Sequence, residues 1–431
     1  MNSQATFSNT PFWHDDVDLS VTTTPLEALK DTLDIVIVGS GFTGLSAALT
    51  LARAGKSVTI IEKNNIASGA SSRNGGLLGP SFHKLGIQGL VNAFGNETAN
   101  NLLKESLLGY DWLLNFIKDE QIDCDLRQCG RFRGALQPAH FKPLAEQAES
   151  FASKLDYPVT IVEKSQQHSE VGSDLYHGGV VYEKDAALNP AKLVKGLIQR
   201  CQAAGVTFVE QTQVSEITQN STGFSLIANT RLLKASTLLI ATNGYTGAVT
   251  QQLKRRILPI RSSMIATEPL SASLINSISP RQRTHGGTDR LVFYYRTSPD
   301  GKRLLFGGRA LSYKDKPQEY YAFLQHNMRT LFPQLQEAKI SHAWSGLVAY
   351  SFDHIPHLGV QDGMYYAMGY CGSGVARANY LGHKIALQML GKEGATAFDN
   401  FDFPSKALYS GNPWFMPFLL RWHSLADKWG M

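Results

Sequence analysis

The sequence predicts a doubly wound α/β domain on a parallel sheet, interleaved with an α+β domain built on an antiparallel sheet. Three observations predict it. A complete strand–helix–strand unit carrying a glycine motif stands at Asp34–Glu62. The same α/β pattern returns at residues 181–250 and 341–392, so 31–80 and these two pieces form one domain. Residues 81–180 and 251–340 read instead as aromatic helices and short apolar strands, the two pieces of the other domain. Parallel strands need long crossovers, and whole pieces of a second domain fit inside them.

Ile35–Val38 are an apolar run behind Asp34, the mark of a strand buried on both faces. The chain then reads Gly39-Ser40-Gly41-Phe42-Thr43-Gly44 and continues with Leu45, Ala48, Leu49 and Ala52 at helical spacing. Val58–Ile61 make a second strand, which ends on Glu62 and Lys63. These parts suit a dinucleotide. Gly39 permits the tight turn, Gly41 lets a pyrophosphate approach the backbone, and Gly44 lets helix and strand pack closely. The amides of Phe42 and Thr43 open the helix and offer its positive end to phosphate. Glu62 is placed to accept hydrogen bonds from the adenosine ribose.

The next segment decides which dinucleotide. A nicotinamide-binding domain would continue with further strand–helix units. Here the chain runs through Ser68, Gly69, Ala70, Ser71, Arg73, Asn74, Gly75, Gly76 and Leu77. So small and hydroxyl-rich a stretch cannot build a core, but it can wrap the ribityl-pyrophosphate of FAD. A second glycine element points the same way. Tyr365–Met368 enter Gly369, Gly372, Ser373, Gly374 and Val375, and a helix follows with Ala378, Leu381, Ile385 and Met389 on one face. Its positive end would face the flavin pyrimidine and stabilise the reduced ring, which is anionic at N1–C2=O.

The remaining elements follow in order. Residues 1–30 read as an arm. The stretch from Leu102 to Ile117 is an aromatic helix. Asn189-Pro190 is a helix start, Gly205 a stop, and Val206–Val209 and Leu238–Ala241 are strands of the first domain. Strands of the second domain are expected at Arg261–Thr267, Leu291–Arg296 and Arg303–Gly308. Residues 393–431 form a tail, in which Trp414, Phe418, Trp422, Leu425 and Trp429 share a helical stripe with Arg421, His423 and Lys428 interspersed. The stripe is expected to pack on its own protein; the alternative is a peripheral contact with the inner face of a membrane.

Composition limits the function classes. The chain has 431 residues, is 43% hydrophobic and carries a net charge of +5, as a globular protein of two domains does. Lys254-Arg255-Arg256 is the only tight basic cluster, so no nucleic-acid partner is expected. The four cysteines, Cys124, Cys129, Cys201 and Cys371, lack metal-ligand spacing, and reduced thiols, no metal and a cytoplasmic setting are expected. The polar, acidic start shows no leader, and no apolar stretch reaches membrane-span length.

In combination these segments resemble the D-amino-acid oxidase and sarcosine/glycine oxidase superfamily of FAD-dependent oxidoreductases. Within it the chain is similar to the bacterial γ-glutamylputrescine oxidase branch, which serves polyamine catabolism. The resemblance starts with Asp34–Gly76. It continues in order through Ala241–Thr246, Leu258–Ile260, Ile265–Leu270, Leu304–Arg309, Trp344–Gly346, Asp353–Gly359, Gly369–Gly374 and Gly411–Phe415. It implies a glutathione-reductase-type FAD domain, with backbone near Val214 against the adenine and Ala241, Thr242, Asn243 and Gly346 beside the cofactor. Some relatives link flavin covalently through a His or a Cys. This chain has Arg73 at the first position and no Cys within Trp344–Tyr350, so non-covalent FAD is expected.

The chemistry implied is oxidation of an amine C–N bond by hydride transfer to flavin N5, giving an imine and then an aldehyde, from a γ-glutamylputrescine-like small-molecule amine. Tyr294, Arg296, Arg309, Trp344, Tyr350 and His354 are the candidates for the substrate pocket. The electron acceptor is oxygen or a quinone: Arg303–Gly308 lacks the Lys that activates oxygen in the sarcosine oxidase branch. Three alternatives stay open: an oxidase or dehydrogenase of a D-amino acid, sarcosine, glycine or pipecolate; a tRNA-modifying flavoprotein; and a non-catalytic FAD-binding subunit. The oligomeric state is not legible.

Overall fold

The computed structural model describes residues 7–82, 84–289, 291–309, 314–399 and 401–416, together with 418 and 422. Two eight-stranded sheets organise them. In the first, Arg231–Ile240, Thr32–Val38, Val58–Ile61 and Thr207–Val209 run parallel in that spatial order. Tyr365 and Tyr366 extend the parallel set beside Leu239 and Ile240, and His357–Gln361 closes that edge antiparallel. Alternation along the first strand sends its residues to two cores. Ile35 and Ile37 join Leu45, Leu49, Leu197 and Leu381 under the helices Phe42–Arg53, Pro190–Ala203 and Gly374–Met389. Val36 joins Leu226, Leu233 and Leu238 beneath the antiparallel hairpin Val214–Asn220/Gly223–Ala228.

Capping chemistry sets the middle helix as expected: Asn189 Oδ1 accepts from the Ala191 and Lys192 amides, with Pro190 in the first turn. The first and last of the three helices cross at a glycine. A Cβ on Gly382 would stand 2.5 Å from the Thr43 carbonyl oxygen, so only hydrogen fits between them.

The second sheet has the order Ile340–Tyr350, Leu258–Thr267, Leu304–Arg309, Tyr294–Thr297, Thr284–Gly287, Arg131–Gly134, Gly179–Tyr182, Val159–Val162. It is antiparallel throughout except where Thr284–Gly287 runs parallel to Arg131–Gly134. Its far face packs Phe132, Tyr295 and Phe306 against the helix Pro317–Leu331. Two details differ from the sequence reading. The strand expected from Leu291 begins at Tyr294. Ile340–Tyr350 pairs along Leu258–Thr267, so a strand that was expected to open the last piece of the nucleotide domain is the edge of the other sheet. Its Trp-Ser-Gly run lacks any local signal for which sheet it joins.

The arm is tied down rather than loose. Trp13 is 1% exposed, Ser8 bridges His342, and the Arg231 guanidinium donates to the Leu26 and Leu29 carbonyls. In the tail, Phe403 stacks on His357 and Tyr409 donates to the Ile257 carbonyl. Trp414, Phe418 and Trp422 are exposed, against the expectation that the stripe packs on the protein; Leu425 and Trp429 lie outside the described residues. Among the described residues all four cysteines are free thiols, no helix is long and apolar enough to cross a membrane, and no group of side chains could hold a metal.

The glycine crossing is testable. Gly382→Val should force the two helices apart and cost about 1–3 kcal/mol, the usual scale for overpacking. The urea midpoint should fall and FAD should be retained less well. An unchanged midpoint would show that the helices are not in contact there.

Candidate functional site

Both glycine turns lie at the carboxyl ends of the parallel strands, where such sheets bind ligands. Gly39 has φ +106°, and a Cβ there would reach 3.0 Å from the Ala241 carbonyl oxygen. A Cβ on Gly44 would sit 2.1 Å from the Gly39 carbonyl oxygen, and one on Gly41 would sit 2.9 Å from Ser71 Oγ. The helix that follows has no side-chain cap from Gly41, and its Phe42 amide donates to the Ser71 hydroxyl at 2.9 Å. Bare amides at a helix start, glycines that a Cβ would block and a hydroxyl in reach make a cradle that fits a pyrophosphate.

Glu62 is held in place. Its Oε2 accepts from the Ser40 amide at 3.0 Å and hydroxyl at 2.8 Å, and Oε1 accepts from the Asn64 amide at 3.1 Å. A carboxylate has about four acceptor sites, so capacity for ribose hydroxyls remains on this half-buried side chain. Beside it the Thr212 amide donates to the Glu62 carbonyl, which brings buried Val214 to the same edge; Lys63 is exposed.

The loop 67–77 is organised by its own side chains and by three clamps. The Ser72 hydroxyl donates to the Ala67 carbonyl, and Arg73 Nε donates to the Ser68 carbonyl. The Asn74 amide group donates to the Ala70 and Ser71 carbonyls and its oxygen accepts from Gly76 N. Trp13 Nε1 then donates to the Asn74 carbonyl, and Trp344 Nε1 to the Arg73 carbonyl, both at 2.8 Å. Arg296 donates to the carbonyls of Leu188 at 2.8 Å and Gly76 at 3.3 Å, over the Trp13 ring. Gly76 is required there, since φ is +68° and a Cβ would meet the Leu188 carbonyl oxygen at 2.0 Å. Burial pushes the Arg296 guanidinium down to about 10.

Arg296 and Trp344, expected in the substrate pocket, therefore brace the loop from behind. Trp344 Nε1 donates to the Arg73 carbonyl, and Arg296 Nε and Nη1 donate to the carbonyls of Thr297, Leu188 and Gly76. Gly69 faces the Tyr245 ring, Gly75 the Tyr294 ring, and Leu77 pairs with Ala187.

The second turn is pinned to the first. Tyr370 donates to the Ala367 carbonyl and so receives the Thr43 hydroxyl proton at 2.6 Å. Asn243, itself at φ +43°, accepts the Gly369 amide at 2.9 Å, while Thr242 Oγ1 lies 2.8 Å from Thr246 Oγ1. Gly369, Cys371 and Gly372 all have positive φ. The helix Gly374–Met389, with Val375 buried in its first turn, starts without a side-chain cap from Ser373. Cys371 is 5% exposed, and burial drives its thiol up to about 11, the state of an inert filler.

Facing these turns is the near side of the second sheet, where register groups the side chains in rows. One row runs Trp344, Met264, Gly307, Tyr294; the next runs Gly346, Ser262, Arg309. A Cβ on Gly346 would sit 3.7 Å from Ala70 Cα and 3.8 Å from Arg73 Cβ, so this strand lies directly against the first loop. Tyr294 shares a hydrogen bond with Ser262 at 3.0 Å, and Arg309 Nη2 donates to the Tyr350 hydroxyl at 3.1 Å. Burial raises both phenols, Tyr294 to about 12, and lowers the His354 imidazole. His354 sits edge-on to Tyr350 with φ +63° and a buried Nδ1 that has no hydrogen bond. Tyr294, Arg309, Tyr350 and His354 are thus brought to one side of the glycine turns.

Several contributors had no signal in the sequence. Trp13 lies in the arm, 61 residues from the carbonyl it holds. Arg377, 4% exposed, donates to the Ser106 hydroxyl and the Ser81 carbonyl over the Phe82 ring, fixing the segment beside the last turn.

A family model described as FAD dependent oxidoreductase (DAO) matches residues 34–388. A probable oxidoreductase of Haemophilus influenzae, OrdL, is 31% identical over 385 residues, 88% of this chain and 87% of its own. The γ-glutamylputrescine oxidoreductase of Escherichia coli is 31% identical over 415 residues, 94% of this chain and 96% of its own. Among solved structures, glycine oxidase of Geobacillus kaustophilus superposes with a TM-score of 0.73 over 88% of this chain and 99% of its own, at 21% identity, which shows the fold.

Two substitutions probe the cradle. Gly41→Val should yield folded protein without flavin, because the added carbons fill the space between Gly41 and Ser71; a yellow variant would argue against that placement. Glu62→Ala should weaken FAD by about 1–3 kcal/mol, the scale for hydrogen bonds to a charged group. Turnover at saturating FAD should stay near that of the parent, and a large loss there would assign Glu62 another role.

Proposed function

The chain belongs to the FAD dependent oxidoreductase family, and from that premise we propose that it oxidises the C–N bond of an amine of the γ-glutamylputrescine type. The observation that carries this is the 31% identity to the γ-glutamylputrescine oxidoreductase over 94% of the chain. The site geometry agrees with it. The residues that fit FAD are the Gly39–Gly44 turn, Glu62, the loop 67–77 and the turn Gly369–Gly374, and the absence of a linking residue supports non-covalent binding. FAD, when bound, supplies the acceptor for the hydride from the carbon next to nitrogen, with oxygen or a quinone taking the electrons onward.

The chain's own residues bind, orient and dry the site. Tyr294 stands on one side, and buried Trp344, Met264 and Trp13 keep water from the loop behind it. The rows facing the turns hold phenols, a hydroxyl and the Arg309 guanidinium, with no carboxylate among them. A protonated amine would gain no counter-charge there, so the neutral amine, the form able to lose hydride, is the one favoured. The nitrogen leaves as the imine, which water hydrolyses to aldehyde and free amine. A second reading, oxidation of an amino acid whose α-carboxylate rests on Arg309, is supported by the position of that guanidinium beside Tyr350.

Anaerobic titration of the purified protein with amines and amino acids tests both. Bleaching of the flavin by acylated diamines supports the first reading. Bleaching by α-amino acids alone, lost in Arg309→Gln, supports the second. Because His354 is depressed below its ordinary value, it stays neutral across the range where the substrate titrates. The reduction rate at fixed subsaturating amine should therefore rise about tenfold per pH unit below the amine pKa. A flat profile would show that the protonated amine reacts.

A further inference from the structure

The near face of the second sheet does not end at Tyr294. Gly286 pairs with Tyr294 on one side and with Arg133 on the other, so Arg133 continues the same row. Residues opposite one another in neighbouring strands project to one face, and two strand spacings put Arg133 about 10 Å from Tyr294. The residue between them is bare: a Cβ on Gly286 would find only the Phe293 carbonyl oxygen within 4 Å, at 3.6 Å. The sheet thus offers an open floor from the phenol to the guanidinium.

At its far end Arg133 lines a cavity of about 520 Å³ with Gln88, His140, Gln147, Ser150 and Thr288. His140 Nδ1 is held by the Thr288 hydroxyl at 2.8 Å, which fixes the ring at the cavity wall. The two arginines of this strand are treated differently. Arg131 Nε lies 3.0 Å from the buried Asp185 carboxylate. Arg133 donates to Gln147 Oε1 at 3.3 Å, shares a hydrogen bond with Tyr182 and has no ion pair among the described residues; Asp289 acts on it only from a greater distance. Burial pushes its pKa down, and the Arg131 charge adds to this. A half-buried guanidinium held by Gln147 and Tyr182, with no carboxylate paired to it among the described residues, on the wall of a cavity of mixed polar and apolar lining, is placed to take an anion.

We propose that Arg133 and this cavity bind a carboxylate at the remote end of the substrate, so that the enzyme prefers extended amines with an acidic or amino-acid head over short or neutral-ended ones. The proposal rests on the amine reading above and specifies its substrate class. An amino acid oxidised at its own α-carbon would leave the floor over Gly286 empty. A γ-glutamylated diamine would lie along it, its carboxylate on Arg133 and its α-ammonium near Glu146 and Gln147, which also border the cavity.

The test separates binding from turnover. Holoenzyme is titrated with two unreactive amides, γ-glutamyl-butylamide and N-butylacetamide, following the flavin difference spectrum. The acid-ended amide should bind the parent at least tenfold more tightly than the neutral one, and Arg133→Gln should abolish most of that preference while Arg133→Lys retains part of it. Gly286→Val, which fills the floor without a strained φ, should weaken the acid-ended amide at least tenfold with FAD still bound. No preference in the parent, or a preference that survives Arg133→Gln, would overturn the subsite. If the amides bind as expected but no amine bleaches the flavin, the subsite stands and the reaction assigned above fails.

Discussion

The buried hydrogen bond from Thr43 to Tyr370, 2.6 Å long, is the contact on which the site depends. Thr43 belongs to the first turn of one helix and Tyr370 to the glycine turn that starts another, 327 residues later. Neither turn is regular structure, and each has positive-φ residues that cost energy unless the surroundings hold them. The Thr43–Tyr370–Ala367 chain, together with the Asn243–Gly369 bond, gives both turns a common anchor. Two helix N-termini then open on one region without either having a side-chain cap of its own. The first amides of a helix have no partner within it and are met by caps, water or ligands; here the Phe42 amide meets the Ser71 hydroxyl and neither helix is capped by its own N-cap side chain, which prepares the protein for a long anionic ligand.

The second sheet answers that arrangement from across the gap. Its near face alternates large residues with glycines, so that Gly346 admits the first loop, Gly307 admits the Tyr294 ring, which Gly75 of the loop meets from the other side, and Gly286 stays open. Behind the loop, Trp13, Trp344 and Arg296 each donate to a backbone carbonyl. Buried carbonyls without partners are costly, and these donors let an irregular segment lie in the interior. The same physics explains why the cation Arg296 can be buried without a carboxylate: three carbonyl oxygens share its charge.

Charge is unevenly distributed along this face. The rows that face the turns carry Tyr294, Ser262 and Arg309 and hold no carboxylate among the described residues, and Arg133 continues the first row farther along. On the amine reading and the subsite proposed above, one end of the row would select the protonation state of the reacting nitrogen and the other what the substrate carries, about two strand spacings apart.

The nucleotide-binding half was legible because its signals are local. Gly39, Gly41, Gly44 and the run Gly369–Gly374 announce themselves through the backbone conformations they allow, and Glu62 through its place at the end of the second strand, and the α/β periodicity places them on one sheet edge. The face of the second sheet was not legible in the same way. Tyr294, Arg296, Trp344 and Arg133 all look like ordinary strand residues, and only register across six strands decides which are neighbours. Arg296 and Trp344 read as pocket residues from sequence, yet they brace the loop because Gly76, Leu188 and Arg73 present carbonyls to them. The strand Ile340–Tyr350 and the arm with Trp13 likewise joined partners that no local pattern names. Local sequence determines turns, caps and the parity of a strand; which strand lies beside which is settled by long-range packing, and the substrate side of this protein depends on it.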